Sequence, residues 1–394
     1  MRNNVNLMRS FVLASLLWLC CSGAALATSR VVAVGDVHGG LAGLQTILEA
    51  AGVIDDAGHW AGGTAILVQT GDVLDRGADD RAVMDLLMRL QQEAAVTKGQ
   101  VIVLLGNHEA LNLVGIHNYV NPDAAAAFAN KRSERLRERT LKKELKRLRR
   151  LEALPDDVEQ FKAAWREAHP LGLLEYWEQL QPTARYGRWL RSLPIGVVID
   201  GTLFVHAGPG PDCEGLDPQR MNARIAAELK NYEALRQRLI DLRLLLPSSS
   251  FDDIRRLDIL AEEAGNSPPA WLTPEAAGIL VEFDNWDNWS LFSKTGPLWY
   301  RGAALDNEDQ LAPELIPRLD AAGLVRVVSG HTVQPGGEIH SRFNGRIILI
   351  DTGMLAAVYA GTPSALEIKD GELTAIYPNR RAPVAAILPA AVER

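Results

Sequence analysis

The chain has 394 residues, 47% of them hydrophobic and 23% charged, enough to bury a substantial core in one elaborated domain. That balance excludes a disordered or fibrous protein. The net charge of -8 gives no global attraction for nucleic acid, so any affinity for phosphate must be local.

The N-terminus reads as a processing signal. Arg2 and Arg9 precede the apolar run Phe11 to Cys20, and Ala25-Leu26-Ala27 supplies the small residues of a cleavage site. Residues 1–27 are therefore expected to be removed as a signal peptide. The run is short for a bilayer span, which weighs against an uncleaved anchor. Bulky Trp18 and Leu19 stand where a lipoprotein signal needs small residues. The mature chain would work in the periplasm, or be secreted, with no stable membrane insertion. Cleavage also removes Cys20 and Cys21 and leaves Cys213 alone, so no internal disulfide can form.

Apolar strand patterns then alternate with amphipathic helices. Arg30 to Val34, Thr64 to Thr70 and Gln100 to Leu105 read as buried strands, joined by helices over Leu41 to Ala51 and Asp80 to Ala94. Right-handed crossovers place the loops after all three strands on one sheet edge. A charge-rich helical insert follows at about 124–191. Gly196 to Asp200 and Thr202 to Val205 read as a hairpin about Asp200-Gly201, and a second helical insert spans about 217–264. After a Trp-rich segment, Phe283 to Trp299, strands return at Val325 to Val328, Glu338 to Phe343, Arg346 to Ile350, Ala365 to Ile368 and Leu373 to Tyr377. Asn344-Gly345 and Asp370-Gly371 are hairpin turns. Residues 380–394 read as a loose tail.

Within the first insert, Lys131 to Arg150 holds 11 Lys or Arg against 3 Glu. It reads either as a basic arm for an anionic partner or as a solvated helix that buries a stripe of Leu136, Leu141, Leu145 and Leu148. The helical spacing of the leucines favours the second.

Five short segments carry the chemistry: Gly35-Asp36-Val37-His38-Gly39, Gly71-Asp72-Val73-Leu74-Asp75-Arg76-Gly77, Gly106-Asn107-His108-Glu109, His206-Ala207-Gly208 and Gly330-His331-Thr332. The first three follow the three buried strands, and an open α/β sheet presents its ligands at the carboxyl ends of its strands. Asp36 and His38 are two apart, so after a strand both can point the same way. A phosphate ester resists attack because its oxygens are negative and its leaving alkoxide is poor. Two divalent cations about 3.5–4 Å apart answer both problems, holding a bridging hydroxide as nucleophile and neutralising the equatorial oxygens. Asp72 is the natural bridging carboxylate. Mixed carboxylate, amide and imidazole donors suit Mn first, with Fe or Zn as alternatives, better than Ca or Mg.

These segments resemble the GDxHG, GDxxDRG, GNHE, HxG and GH motifs of the calcineurin-like metallophosphoesterases, in their phosphoprotein phosphatase branch. The resemblance runs from Val31 to about Gly353. Leu104-Leu105 before Gly106-Asn107-His108-Glu109, and Gly296-Pro297-Leu298-Trp299-Tyr300-Arg301-Gly302, are similar to the Shewanella-like phosphatases. The resemblance implies an α/β fold, the αββα sandwich of metallophosphoesterases with helical insertions, over residues 28–379. It implies one metal on Asp36, His38 and Asp72, and a second on Asp72, Asn107, His206 and His331. It further implies His108 as general acid, oriented by Asp75, with Arg76 and Arg301 as phosphate clamps. The pattern around Arg301 is looser, and a surface salt bridge is its competing reading. Val333 stands where the broader superfamily often carries a second histidine.

The implied activity is a metal-dependent phosphatase for phosphate monoesters, on phosphoprotein (Ser/Thr or Tyr) or small phosphate esters. A nucleotide or dinucleoside polyphosphate hydrolase shares the same motifs. An inactive metal-binding scaffold would need a missing ligand, and none is missing. Cys213 lacks an arginine five or six residues on, so a cysteine phosphatase is excluded. His117 either lines the cleft or packs behind it. Trp286, Trp289, Trp299 and Tyr300 form either an aromatic wall for substrate or a satellite core.

Overall fold

Residues 30–385, which the computed structural model describes, begin with a run of three strands and two helices: β1 (Val31–Val34), α1 (Leu41–Ala50), β2 (Ile66–Gln69), α2 (Asp80–Val96) and β3 (Gln100–Val103). Both neighbouring strand pairs are parallel. The expected signal peptide and the end of the tail lie outside the described residues. After β3 come α3 (Asn107–Leu113) and a first helical insert of α4 (Pro122–Ala126), α5 (Ser133–Arg150), α6 (Val158–Ala168), α7 (Leu173–Leu180) and α8 (Arg185–Arg191). The hairpin β4 (Gly196–Ile199) and β5 (Thr202–Val205) leads into a second insert of α9 (Pro218–Asp241), α10 (Phe251–Glu263) and α11 (Pro274–Phe283). Its last helix lies beyond the expected limit near residue 264. Then follow α12 (Gly302–Leu305), α13 (Glu308–Ala321), β6 (Arg326–Ser329), β7 (His340–Arg342), β8 (Ile347–Leu349), α14 (Ala356–Tyr359), β9 (Ala365–Lys369), β10 (Glu372–Tyr377) and β11 (Arg380–Pro383).

The strands form two sheets, ordered β11-β10-β9-β1-β2-β3 and β4-β5-β6-β8-β7. Side-chain alternation assigns their faces. Val31, Ala33, Val68, Phe204, Val328, Ile348 and Leu366 share a dry layer drawn from both sheets. Val32, Val34 and Leu67 point the other way, into a core with Leu44 and Leu48 of α1 and Leu87 of α2. On the second sheet, Leu203, Val327 and Ile347 pack in the same outer core with Leu315 and Leu319 of α13. Helices therefore cover both outer faces, which gives the αββα sandwich. Strands buried on both faces read as continuous Val/Ile/Leu runs, which is why β1 to β3 stand out in the sequence.

Two local expectations change. The tail does not begin at residue 380, because Arg380–Pro383 pairs antiparallel with β10 as an edge strand. On α5 only Leu141 of the four leucines is buried, and its inner face also holds Ser133, Thr140, Glu144 and Arg147. Arg147 donates to Glu144 through Nε (2.8 Å) and Nη2 (2.6 Å), and to Asp253 of α10 (2.7 Å). An ion triad, not a leucine stripe, ties the two inserts together here.

Candidate metal and phosphate site

The loops after β1, β2, β3, β5 and β6 meet at one edge of the sandwich and are stitched to each other by backbone. Val37 and His38 N–H donate to the Asp72 carbonyl (3.0 and 2.9 Å). The Asp36 carboxylate accepts the His331 N–H (3.0 Å), Asp72 Oδ1 accepts the His108 N–H (2.9 Å), and the His206 carbonyl accepts the Gly330 N–H (2.8 Å). Glycine is required where loops touch. A Cβ on Gly106 would lie 2.3 Å from the Asp72 nitrogen, and one on Gly330 would lie 2.2 Å from Asp36 Oδ1. His38, Asp72, Asp75, Arg76 and His331 all adopt left-handed backbone, with φ from 47° to 74°. Such conformations cost about 1–3 kcal/mol each and persist only where the surroundings dictate them.

Glu109 does much of the dictating for the second loop. Its buried carboxylate accepts four backbone N–H groups: Asp72 and Gly106 on Oε2 (2.8 Å each), Val73 and Leu74 on Oε1 (2.8 and 3.0 Å). Burial, then the Asp72 charge, push its pKa up to about 7. Four donors leave no room for a carboxyl proton, so we describe it as ionised. The motif pattern contained Glu109 but carried no signal for this cradle, because three of its four partners lie 35 to 37 residues away.

The residues expected to bind metal are brought together, and their arrangement has a charge problem. His206 Nδ1 donates to the Thr70 carbonyl (2.9 Å), which aims Nε2 into the site. That nitrogen faces Asn107 Oδ1 (2.8 Å), His331 Nδ1 (3.1 Å) and Asp72 Oδ1 (3.4 Å). Burial pushes His331 down to about 2, so its ring is neutral and carries a single N–H. An amide oxygen, a carboxylate and two imidazole nitrogens gathered this closely make a donor set that fits a divalent cation. His38 approaches Asp72 from the other side. Its Nδ1 donates to the Leu74 carbonyl (3.0 Å), and its Nε2 faces Asp72 Oδ2 (3.7 Å) and Asp36 Oδ2 (3.9 Å). Burial pushes the ring down to about 3. Two groups of side chains able to hold a metal result, His38–Asp72–His108 and Asp72–His206–His331, with Asp72 common to both.

The buried carboxylates deepen the charge deficit. Burial, then Asp351 and Asp72, push Asp36 well above the usual carboxylate range. Burial alone would raise Asp72, but the His206 and His108 charges hold it well below that range. Asp351 is pushed up to about 6, chiefly by burial. It accepts the Gly353 N–H (3.0 Å) and lies outside the five motif segments, so no pattern marked it. A shared pocket of acids is where divalent ions invert the ordinary titration order.

His108 stands in the first group by proximity, yet its Nδ1 is engaged by Asp75 Oδ2 at 2.5 Å. Asn112 Nδ2 donates to the other Asp75 oxygen (2.9 Å), and the Asp75 N–H donates to Asp80 (3.1 Å). Burial would lower His108, but Asp72 and then the Asp75 hydrogen bond and charge outweigh it, and the net shift is upward. An imidazole whose Nδ1 is fixed by a carboxylate is oriented to present its Nε2 to the site. Its outer face meets Tyr119, ring to ring at 5.1 Å.

Arg76 and Arg301 both reach the site. Arg76 Nη1 donates to His38 Nε2 (2.6 Å) and to the Tyr359 hydroxyl, between the rings of Tyr119 and Tyr359. Arg301 Nη1 donates to the His331 carbonyl (2.8 Å) and the Thr332 hydroxyl (3.0 Å). The remaining expectations divide. Trp286 and Trp289 pack on Phe251 and Phe283 as a satellite core, whereas Trp299 stands edge-on to His331 at 6.1 Å. His117 packs on Trp177 behind the Tyr119 loop. His340 lies on β7, bonded to Gln334. Cys213 is buried and free, its thiol pushed up to about 12 by burial.

Residues 29–335 match the family profile of the calcineurin-like phosphoesterases. The chain is 27% identical over 352 residues to Shewanella-like protein phosphatase 1 of Plasmodium berghei (strain Anka), covering 88% of this chain and 74% of that protein. It is 26% identical over 345 residues to Shewanella-like protein phosphatase 2 of Arabidopsis thaliana, covering 86% and 75%. Among solved structures, the cold-active protein-tyrosine phosphatase of a psychrophile, Shewanella sp., superposes with a TM-score of 0.57 at 23% identity, covering 91% of this chain and 80% of that one. At that identity the likeness concerns the fold.

Proposed function

We propose that this chain, which belongs to the calcineurin-like phosphoesterase family, is a phosphoprotein phosphatase. It is a hydrolase of phosphate monoesters whose site suits divalent metal ions. The substrate, the identity of the metal and the part of each residue are our reading. The observation that carries it is the set of amide, imidazole and carboxylate donor atoms gathered within 3.4 Å of His206 Nε2.

In this reading Asp36, His38 and Asp72 hold one cation, and Asp72, Asn107, His206 and His331 hold the other. Manganese suits the mixed oxygen and imidazole donors. When bound, the pair supplies positive charge for the phosphoryl oxygens and lowers the pKa of a water held beside them. The chain does the rest. Arg76, now spending a donor on His38 Nε2 at 2.6 Å, offers its fork to two phosphate oxygens once a cation takes that lone pair. Arg301 stands at the rim, fixed by the His331 carbonyl and Thr332. His108 delivers a proton to the leaving oxygen from Nε2, with Asp75 holding its Nδ1–H and its orientation. Tyr119, 49% exposed beside His108, offers an aromatic edge to a phosphotyrosine ring.

The apolar run Phe11 to Cys20 and Ala25-Leu26-Ala27 support export to the periplasm. Among the described residues no helix is long and apolar enough to cross a membrane.

The test is release of phosphate from p-nitrophenyl phosphate, phosphotyrosyl and phosphoseryl peptides and nucleotides, with EDTA and then with Mn restored, beside Asp72→Asn. Phosphopeptide hydrolysis that EDTA abolishes, Mn restores and the substitution removes is expected. Hydrolysis of nucleotides alone would replace the substrate reading, and EDTA-resistant activity would overturn the metal reading.

A further inference from the structure

The loop that brings Tyr119 to His108 also closes a second cavity. Gly115, His117 and Asn118 line one side of a space of about 300 Å³ between α5, α6, α7 and the start of α10. Its walls are aromatic. His117 meets Trp177 edge-on (4.9 Å), and His169 stacks on Trp165 (3.8 Å, 10° between planes). Both imidazoles commit a proton to backbone. His169 Nδ1 donates to the Trp165 carbonyl (2.8 Å) and the His117 ring to the Asn112 carbonyl. His117 Nε2 is left buried and without a partner. Burial pushes His117 down to about 3 and lowers His169 as well, so both rings are neutral and each presents a lone pair.

The charged groups around the cavity add acceptors. Glu144 and Asp253 are held by Arg147 at 2.6 and 2.7 Å. Asp252, exposed at the mouth, touches Arg255 only at 3.8 Å. Arg236 lies over the outer face of Trp177 (5.3 Å) and spends its donors on the Pro247 and Ser249 carbonyls. Among the described residues, the side-chain groups able to hold a metal both belong to the main site. What it lacks is a hydrogen-bond donor carried on an apolar stem. A buried lone pair wants that donor, an aromatic wall favours a cation, and a lysine or arginine stem lies well along apolar surface.

We propose that this cavity receives the basic side chain of a lysine or arginine flanking the phosphorylated residue of a protein substrate, with its ammonium or guanidinium between His117 and Asp252. The proposal rests on the phosphoprotein reading above. The reach is short. Tyr119, whose ring lies 5.1 Å from that of His108, is next in sequence to Asn118 at the cavity. The two places are therefore within about 15 Å, roughly four extended residues.

The test uses the full mature chain loaded with Mn. Phosphopeptides carry arginine, lysine or norleucine at each position within about four residues of the phosphorylated one, with p-nitrophenyl phosphate as the reference substrate. We expect a basic residue at one position to raise kcat/KM about tenfold over norleucine, chiefly through KM, a difference of about 1.4 kcal/mol. His117→Phe and the surface substitution Asp252→Asn should each cut that ratio to less than about threefold. Equal rates for basic and norleucine peptides would overturn the subsite while leaving the phosphatase reading standing, as would a preference that survives both substitutions. Hydrolysis of p-nitrophenyl phosphate without any peptide would overturn the phosphoprotein reading, and the subsite with it. Agmatine tests a free guanidinium as the occupant. If it changes the rate on p-nitrophenyl phosphate while peptides show no preference, the cavity serves a small amine and the proposal fails.

Discussion

Replacing Glu109 by glutamine isolates the cradle under the Asp72 loop. The carboxylate accepts four N–H groups, two on each oxygen, at 2.8 to 3.0 Å. Glutamine keeps one acceptor and turns an NH2 toward the other pair of donors. Two buried N–H groups then lose their partner, at about 1–3 kcal/mol each. Relief of the repulsion between Glu109 and Asp72 returns part of that, so the expected loss is about 2–4 kcal/mol. With about 2.1 cal/mol/K of unfolding entropy per residue over about 360 residues, that is a fall in Tm of roughly 3–5 °C. The same loop holds Asp72 at φ 55°, so its loosening should weaken Mn binding by about 10- to 100-fold, as removal of groups that orient metal ligands does. Calorimetric melts in EDTA read the protein term alone, and activity against Mn concentration reads the second. A Tm within about 1 °C of wild type, with unchanged Mn half-saturation, would refute the argument that Glu109 sets the loop.

Gly330→Ala places a Cβ 2.2 Å from Asp36 Oδ1. Metal analysis should show the first cation lost or weakened while the fold melts cooperatively; full occupancy would contradict the proposed role of Asp36. His108→Asn removes the proposed proton donor, so kcat should fall about 10²- to 10⁴-fold on alkyl phosphates and less on p-nitrophenyl phosphate, whose leaving group needs less help. Equal losses on both would count against acid catalysis. Below the unfolded histidine pKa of about 6.5 the unfolded chain binds the proton that folded His117, pushed down to about 3, refuses. Stability should therefore fall on acidification, and between pH 7.5 and 5 wild type should lose about 2 kcal/mol more than His117→Phe; parallel pH curves would refute this. Arg147→Met leaves Glu144 and Asp253 without the cation that joins α5 to α10. A loss of about 3–5 kcal/mol is expected in urea melts, and a neutral result would show the triad to be dispensable.

The chain by itself determined the parts whose cause is local. β1, β2 and β3 were legible because strands buried on both faces need unbroken apolar runs. The polar residues directly after them were legible because a strand end carries its ligands with it. Asp36, His38, Asp72, Asn107, His206 and His331 could be picked out on those grounds and by their resemblance to known motifs. What the tertiary structure alone decided rests on partners distant in sequence. Glu109 became a cradle because three N–H groups 35 to 37 residues away join that of nearby Gly106, and Arg76 met Tyr359 across 283 residues. On α5 the leucine spacing pointed to an apolar inner face, yet Glu144 and Arg147 are buried there because Asp253 comes to meet them. Arg380–Pro383 has no apolar alternation to mark it as a strand; its pairing with β10 is an edge ladder of backbone bonds, which any side chain facing solvent can accompany. Local pattern places a residue at the end of a strand. Which group answers it across the site depends on how two sheets and their inserts pack, because a buried charge or lone pair is stabilised by whatever the fold sets opposite it.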